Sequence, residues 1–187
     1  MKRVLVTFGA LGAFVATASA DFIVNGDFEL SVPNNGTANG WTAFNNDGAG
    51  GWRSTGGNPG GTYFLNDNGN QSTNPSIQQS ITGLTIGQAY QISGDEMVAN
   101  ATNNNNLDFG VEIDGHLWEY NIPITSWLHF SEVFVATSTS ATLLLTGERH
   151  GDSDPRIDNI ALNAVPEPVS LVALGVGVAA ILRKRRK

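Results

Sequence analysis

The chain has 187 residues, a formal net charge of −7, no cysteine, 22 glycines and 19 asparagines, and only 14% of its residues are charged, against roughly 25% in an average soluble domain. The absence of cysteine excludes disulfide scaffolds, thiol nucleophiles, cysteine-type zinc sites and iron–sulfur clusters. The 41% apolar content excludes a wholly disordered chain.

In chain order, the first element is a secretory signal. Lys2 and Arg3 precede an apolar run from Val4 to Ala16, and Ala18-Ser19-Ala20 supplies a small-x-small cleavage site. This order predicts a signal helix over residues 1–20, removed by signal peptidase after Ala20; the other reading is a buried N-terminal helix.

Residues 21–164 form the body, long enough for one domain with its own core. Short β-rich runs alternate with Gly, Asn, Ser, Thr and Pro clusters, the pattern of a β-sandwich. Strands are expected at Phe22–Val24, Ser76–Thr82, Gln88–Gly94, Leu107–Asp114, His116–Asn121, Trp127–Ala136, Ala141–Gly147 and Arg156–Leu162. Residues 31–75 are polar and punctuated by Trp41, Phe44, Trp52, Tyr63 and Phe64. A structureless loop of that length is uncommon in a compact domain, so two or three short strands are expected there without definite positions. Asp114-Gly115 is a two-residue hairpin signal of the I′ kind. It sets Ile113 opposite His116, Val111 opposite Trp118 and Phe109 opposite Tyr120, with Glu112 and Leu117 on the other face.

The C-terminal segment, residues 165–187, has three parts. Val165-Pro166-Glu167-Pro168 comes first; its prolines lack ladder donors and keep the chain extended. An apolar stretch over 169–182 follows, about 21 Å long as a helix and short against a hydrocarbon core of roughly 30 Å. Arg183-Lys184-Arg185-Arg186-Lys187 closes the chain and marks the cytoplasmic side by the positive-inside rule. The alternative to a sorting role is a plain C-terminal membrane anchor.

Pro166, Glu167 and Pro168, the short transmembrane helix and the basic tail together resemble the PEP-CTERM sorting signal of proteins exported by Gram-negative bacteria. That resemblance implies an exosortase as partner and transient anchoring in the inner membrane. The body would then reach the cell surface or the extracellular matrix.

With both ends set aside, the body holds three cations, Arg53, Arg149 and Arg156, against sixteen acids, a net of −13. Such a surface repels phosphate backbones, so nucleic acid is not a partner; it suits divalent cations and neutral glycans, or simply keeps an exported domain soluble. Three blocks of the body carry a second resemblance. They are Asn25-Gly26-Asp27-Phe28-Glu29, Ser76–Tyr90 with its Gln79, Ile81, Leu84, Gly87 and Tyr90, and Ile157-Asp158-Asn159-Ile160-Ala161-Leu162. Together they resemble the galactose-binding-type jelly roll of family 4, 9 and 22 carbohydrate-binding modules. The implied architecture is an all-β jelly-roll sandwich, flanked by the signal helix and the C-terminal transmembrane helix.

The same resemblance implies a structural calcium ion held by Glu29 and Asp158, with Asp27 and Asn25 as further oxygen donors. Calcium takes six to eight oxygens, backbone carbonyls included. The alternatives are that Glu29 and Asp158 are solvated edge residues, or that one of them pairs with Arg156. The acids Glu148, Asp152, Asp154 and Asp158 lack the glycine and distal glutamate of an EF-hand and read as a charged loop.

For ligand binding the candidates are aromatic, because sugars present C–H faces that stack on flat rings: Trp52, Tyr63, Trp118 and Tyr120. The alternative for each is core packing, which is the expectation for Trp41 and Trp127. Catalysis finds little support. His116, His129 and His150 have no metal-ligand spacing, and there is no G-x-S-x-G elbow. Glu112, Glu119 and Glu132 lie on strands, where only geometry could pair them for glycoside hydrolysis. The sequence therefore reads as a non-enzymatic, exported surface or matrix protein whose body binds surface polysaccharide, with a purely structural role as the alternative.

Overall fold

A computed structural model describes residues 21–30, 38–45, 50–66, 74–98, 109–121, 126–147 and 155–166. The signal helix, the 169–182 segment, Glu167, Pro168 and the basic tail lie outside the described residues. Among those described, no helix is long and apolar enough to cross a membrane.

Among the described residues the body has ten strands: β1 (Thr42–Phe44), β2 (Gly51–Gly57), β3 (Gly60–Phe64), β4 (Ser76–Thr82), β5 (Ala89–Val98), β6 (Phe109–Ile113), β7 (His116–Tyr120), β8 (Leu128–Val135), β9 (Ser140–Gly147) and β10 (Pro155–Ala164). They make two five-stranded antiparallel sheets, ordered β1-β4-β9-β6-β7 and β2-β3-β10-β5-β8. The chain is thus an all-β sandwich.

Alternation decides which side chains face inward, since successive residues of a strand point to opposite faces. Ile77 and Ile81 of β4, Leu143 and Leu145 of β9, and Phe109, Val111 and Ile113 of β6 meet Tyr90, Ile92 and Val98 of β5, Phe130 and Phe134 of β8, and Ile157 and Leu162 of β10. Burying such a side chain stabilises by about 1.5–3 kcal/mol, and this layer fixes the strand registers. The hairpin pairs Ile113 with His116, Val111 with Trp118 and Phe109 with Tyr120. Its turn residues Asp114 and Gly115 have φ of 50° and 79°, as a I′ turn demands.

Two expectations need correction and one is met. Phe22–Val24 is not a strand. Gln79 accepts from Val24 N at 2.8 Å and donates to Val24 O at 2.9 Å, so one side-chain amide stands in for a neighbouring strand. Trp127 is only half-buried and lies outside the core cluster that contains Trp41. Residues 31–75 do hold short strands, and the structure places them as β1, β2 and β3.

The opening segment is locked onto β10. Gly26 O accepts from Ile160 N at 2.9 Å, and a Cβ on Gly26 would lie 1.8 Å from Ile160 O. Asn25 and Phe28 take φ of 53° and 50°, making this a tight, left-handed bend. Gly26→Ala is expected to separate the two segments and cost about 1–3 kcal/mol, as overpacking does. A lowered thermal midpoint checks this; an unchanged midpoint contradicts the close packing.

Candidate functional site

Two groups of polar and aromatic side chains stand out, one on the outer face of the β2-β3-β10-β5-β8 sheet and one at the open side between the sheets.

The first forms around a bulge in β10. Asp158 pairs with Asp95 of β5, and the register then jumps to Ala161 against Ser93, with Asn159 at φ 53°. The bulge leaves Asp158 0% exposed. Its Oδ2 accepts from Asn58 N and its Oδ1 from Asn159 N at 2.8 Å. Asn58 sits in the two-residue turn joining β2 to β3. Asp95 Oδ2 accepts from Asn58 Nδ2 at 3.1 Å and from Asn159 Nδ2 at 2.8 Å, while its Oδ1 lies 2.7 Å from His129 Nδ1. Glu29 reaches the same turn from the opening segment, its Oε1 accepting from Gly61 N at 2.7 Å. Gly57 and Gly60 face each other across the hairpin. A Cβ on Gly57 would stand 2.6 Å from Asp158 Oδ2, and one on Gly60 would stand 1.9 Å from Glu29 Oε1. The missing side chains are what let both carboxylates lie against the turn.

Burial pushes the Asp158 carboxyl from 3.8 up to about 6; the Asn58 and Asn159 N–H groups pull it down, and the Asp95 and Glu29 charges raise it further. Glu29 and Asp158, distant in sequence, therefore share one turn. Asp158 is neither a solvated edge residue nor paired with Arg156: the one salt bridge among the described residues is His129–Asp95. The other two calcium candidates do not join them. The Asn25 amide is spent on Leu30 N, Leu30 O and Asn39 O. Asp27 is exposed, its Oδ1 3.4 Å from Glu29 N, in a shallow depression shared with Asp21 and Asn159. Among the described residues, no three His, Cys, Asp or Glu side chains gather as a metal centre.

The second group lies between β7 and β8, the last strands of their sheets. The inward residues of β7 are His116, Trp118 and Tyr120. His116 stacks on Trp118 with ring centroids 5.6 Å apart and planes at 11°. Tyr120 packs on Phe130 at 5.5 Å and on Phe109 at 6.2 Å, and its hydroxyl donates to Glu132 Oε1 of β8 at 3.0 Å. Burial first, then the hydrogen bond to Glu132 and the charges of Glu132 and Glu96, hold the Tyr120 phenol protonated well beyond its ordinary range. Glu96 is fully buried on the inward face of β5.

The four aromatic candidates divide. Trp118 and Tyr120 are half-buried and share this open side. Tyr63 is 1% exposed and packs on Phe28 at 5.8 Å, so its ring offers no face to a sugar. Trp52 stands opposite Tyr63, packs against the core and donates its Nε1–H to Phe28 O, which makes it a brace for the opening segment. Sequence reasoning missed Asn58, Asp95 and Asn159 as parts of the first group and Glu96 as part of the second. The alternation Ile92, Gly94, Glu96, Val98 was a usable signal, because it sets a carboxylate on an apolar face.

No protein-family model matches the chain, and no curated protein matches it. Solved structures do resemble it. Among them are the Stig cyclase Fisc from Fischerella sp. TAU (TM-score 0.62, 16% identity, 81% of this chain and 100% of that one), a protein ascribed to sugar binding from Bacteroides thetaiotaomicron VPI-5482 (0.58, 14%, 78% and 100%), and the CBM22-1 xylan-binding domain of Paenibacillus barcinonensis Xyn10C (0.52, 17%, 82% and 100%). The shared property is the fold: carbohydrate-binding-module-like sandwiches stand beside cyclases with the same architecture, and a fold does not carry its chemistry with it.

The raised Asp158 pKa fixes a pH dependence. Between about 4 and 6 the folded state keeps a proton that the unfolded chain has released, so stability falls as pH rises through that window and levels off above it. Urea midpoints measured from pH 4 to 7 should show this slope in the wild type and a shallower one in Asp158→Asn; equal slopes would remove Asp158 as its source.

Proposed function

We propose that the chain is an exported, non-catalytic carbohydrate-binding module, delivered to the cell surface or extracellular matrix by its C-terminal sorting signal. The observation carrying the binding role is the half-buried Trp118 and Tyr120 pair, which lies at the open side of the sandwich beside Glu132. An aromatic ring with a carboxylate at its edge offers a sugar both a stacking surface and a hydroxyl partner. The likeness in fold to a xylan-binding domain and to a protein ascribed to sugar binding supports the same reading. Surface polysaccharide is the partner; its binding should weaken roughly tenfold in Trp118→Ala while the domain stays folded, as measured on a glycan array and by retention in polysaccharide gels. Equal retention would clear Trp118 of a binding role.

Calcium belongs to this reading as a structural ion held by Glu29, Asp158 and nearby backbone carbonyls. Two carboxylates drawn to one turn, one of them buried with a raised pKa, form a donor set that a divalent cation would relieve. When bound, the ion would tie the opening segment to the β2–β3 turn. Saturating calcium should then flatten the stability–pH slope between about 4 and 6, and chelation should restore it.

Export rests on the sequence pattern. The last backbone bond of the body runs from Val165 N to Ala89 O, and Pro166 beyond it is exposed, so the sorting motif would be reachable by an exosortase. Deleting residues 165–187 should send the body to the medium; retention of the truncated chain at the cell envelope would reject that segment as the sorting element.

A further inference from the structure

The outer face of the β2-β3-β10-β5-β8 sheet gathers two of the three cations of a body whose net charge is −13. Arg156 of β10 and Arg53 of β2 flank β3, and both lie over one ring. The Cζ of Arg156 is 5.2 Å from the Phe64 centroid and that of Arg53 is 5.7 Å from it. The two guanidinium groups are therefore at most about 11 Å apart. Phe64 is opposite Arg156 on one side and Gly51 on the other, so the β2 side chain that reaches the ring is that of Arg53. All three residues are half-buried and reachable from solvent.

A cation–π contact explains why each arginine rests on the ring. Arg53 also donates from Nη1 to Trp52 O at 3.1 Å, but the ring contact leaves the polar edge of Arg156 unaccounted for. Among the described residues Arg156 makes no ion pair or hydrogen bond, and its Nε is buried without an acceptor. An unmet buried donor is destabilising, a cost that a purely apolar cover for Phe64 would not carry. The group is also held in place, because its Nη1 lies 2.9 Å from where a Cβ of Gly56 would be, so a bare stretch of β2 makes room for it. The nearby acids are already engaged: Asp95 by His129, Asn58 and Asn159, and Asp158 by the backbone of Asn58 and Asn159.

We propose that Arg53, Phe64 and Arg156 form a binding site for an anionic group, a carboxylate or phosphate carried on a sugar ring. The guanidinium edges would take the anion's oxygens, as arginine does for carboxylate and phosphate, and the Phe64 ring beneath them would hold the two groups near one another. This site rests on the glycan-binding reading and narrows it to acidic polymers on this face. At physiological salt acids beyond about 8 Å are largely screened; of the nearer ones, Asp158 and Asp95 accept from the Asn58 and Asn159 N–H groups.

The test uses the full-length chain in detergent at about 0.15 M salt, with polygalacturonate, a neutral glucan and inorganic phosphate as probes. The expected result is retention on polygalacturonate, at least tenfold weaker in Arg156→Gln at an unchanged melting temperature, and partly restored in Arg156→Lys. If Arg156→Gln melts early, Arg53→Gln gives the same reading from the neighbouring strand. Phosphate that binds more tightly than the polymer, with the same loss in the variants, would name a phosphoryl group as the source of the anion. Retention on neutral glucan alone would overturn the anion site and leave the carbohydrate-binding module standing. Retention on none of the probes would overturn both, and acidic-polymer binding that the arginine variants leave intact would overturn this site alone.

Discussion

Asp158 holds three distant stretches of chain to one another. Its carboxylate sits in a bulge of β10, receives the Asn58 amide from the β2–β3 turn, and neighbours Glu29 from the opening segment. A buried carboxylate loses several kcal/mol of hydration, which hydrogen bonds must offset. Here backbone N–H groups from two segments supply them, so the turn and the bulge cannot move independently without exposing an unsolvated charge. The asparagines at 58 and 159 extend the same network to Asp95, and Asp95 extends it to His129 on the edge strand.

That arrangement explains the glycines around it. Gly57 and Gly60 leave the turn bare where two carboxylates rest, and Gly26 lets the opening segment lie directly on Ile160. The many asparagines and glycines of this charge-poor chain are, at these positions, the residues that let a polar knot be built from short side chains and backbone. Positive-φ positions at Asn25, Phe28 and Asn159 lie in the same region, and such backbone persists where the surrounding contacts over-determine it.

The two sides of the sandwich thus differ in character. The outer face around β10 is polar, with carboxylates satisfied by amides and two arginines sharing Phe64. The open side between β7 and β8 is aromatic, and a phenol–carboxylate hydrogen bond joins the two sheets there. Resemblance in fold to both a cyclase and a xylan-binding domain is what such a scaffold permits: the sandwich supplies rigidity, and its faces and edges supply the chemistry.

Local pattern was enough for much of the fold. Short β-rich runs between turn-forming clusters marked β4 through β10, and Asp114-Gly115 fixed the β6–β7 register, because both signals act between residues close in sequence. Glu29 and Asp158 could be paired through their resemblance to a known pattern, and the structure does bring them to one turn. The sequence by itself could not decide which aromatics face solvent. Trp52 and Tyr63 lie in a polar, aperiodic stretch, yet Phe28 packs on Tyr63, which is core, and its carbonyl takes the Trp52 indole N–H. Nor could it show that Gln79 replaces a strand at Phe22–Val24, that Asp95 and the asparagines join Asp158, or that Arg53 and Arg156 converge on Phe64. Those outcomes depend on strand order and on one bulge, and such long-range geometry is set by how the two sheets pack rather than by any residue's neighbours along the chain.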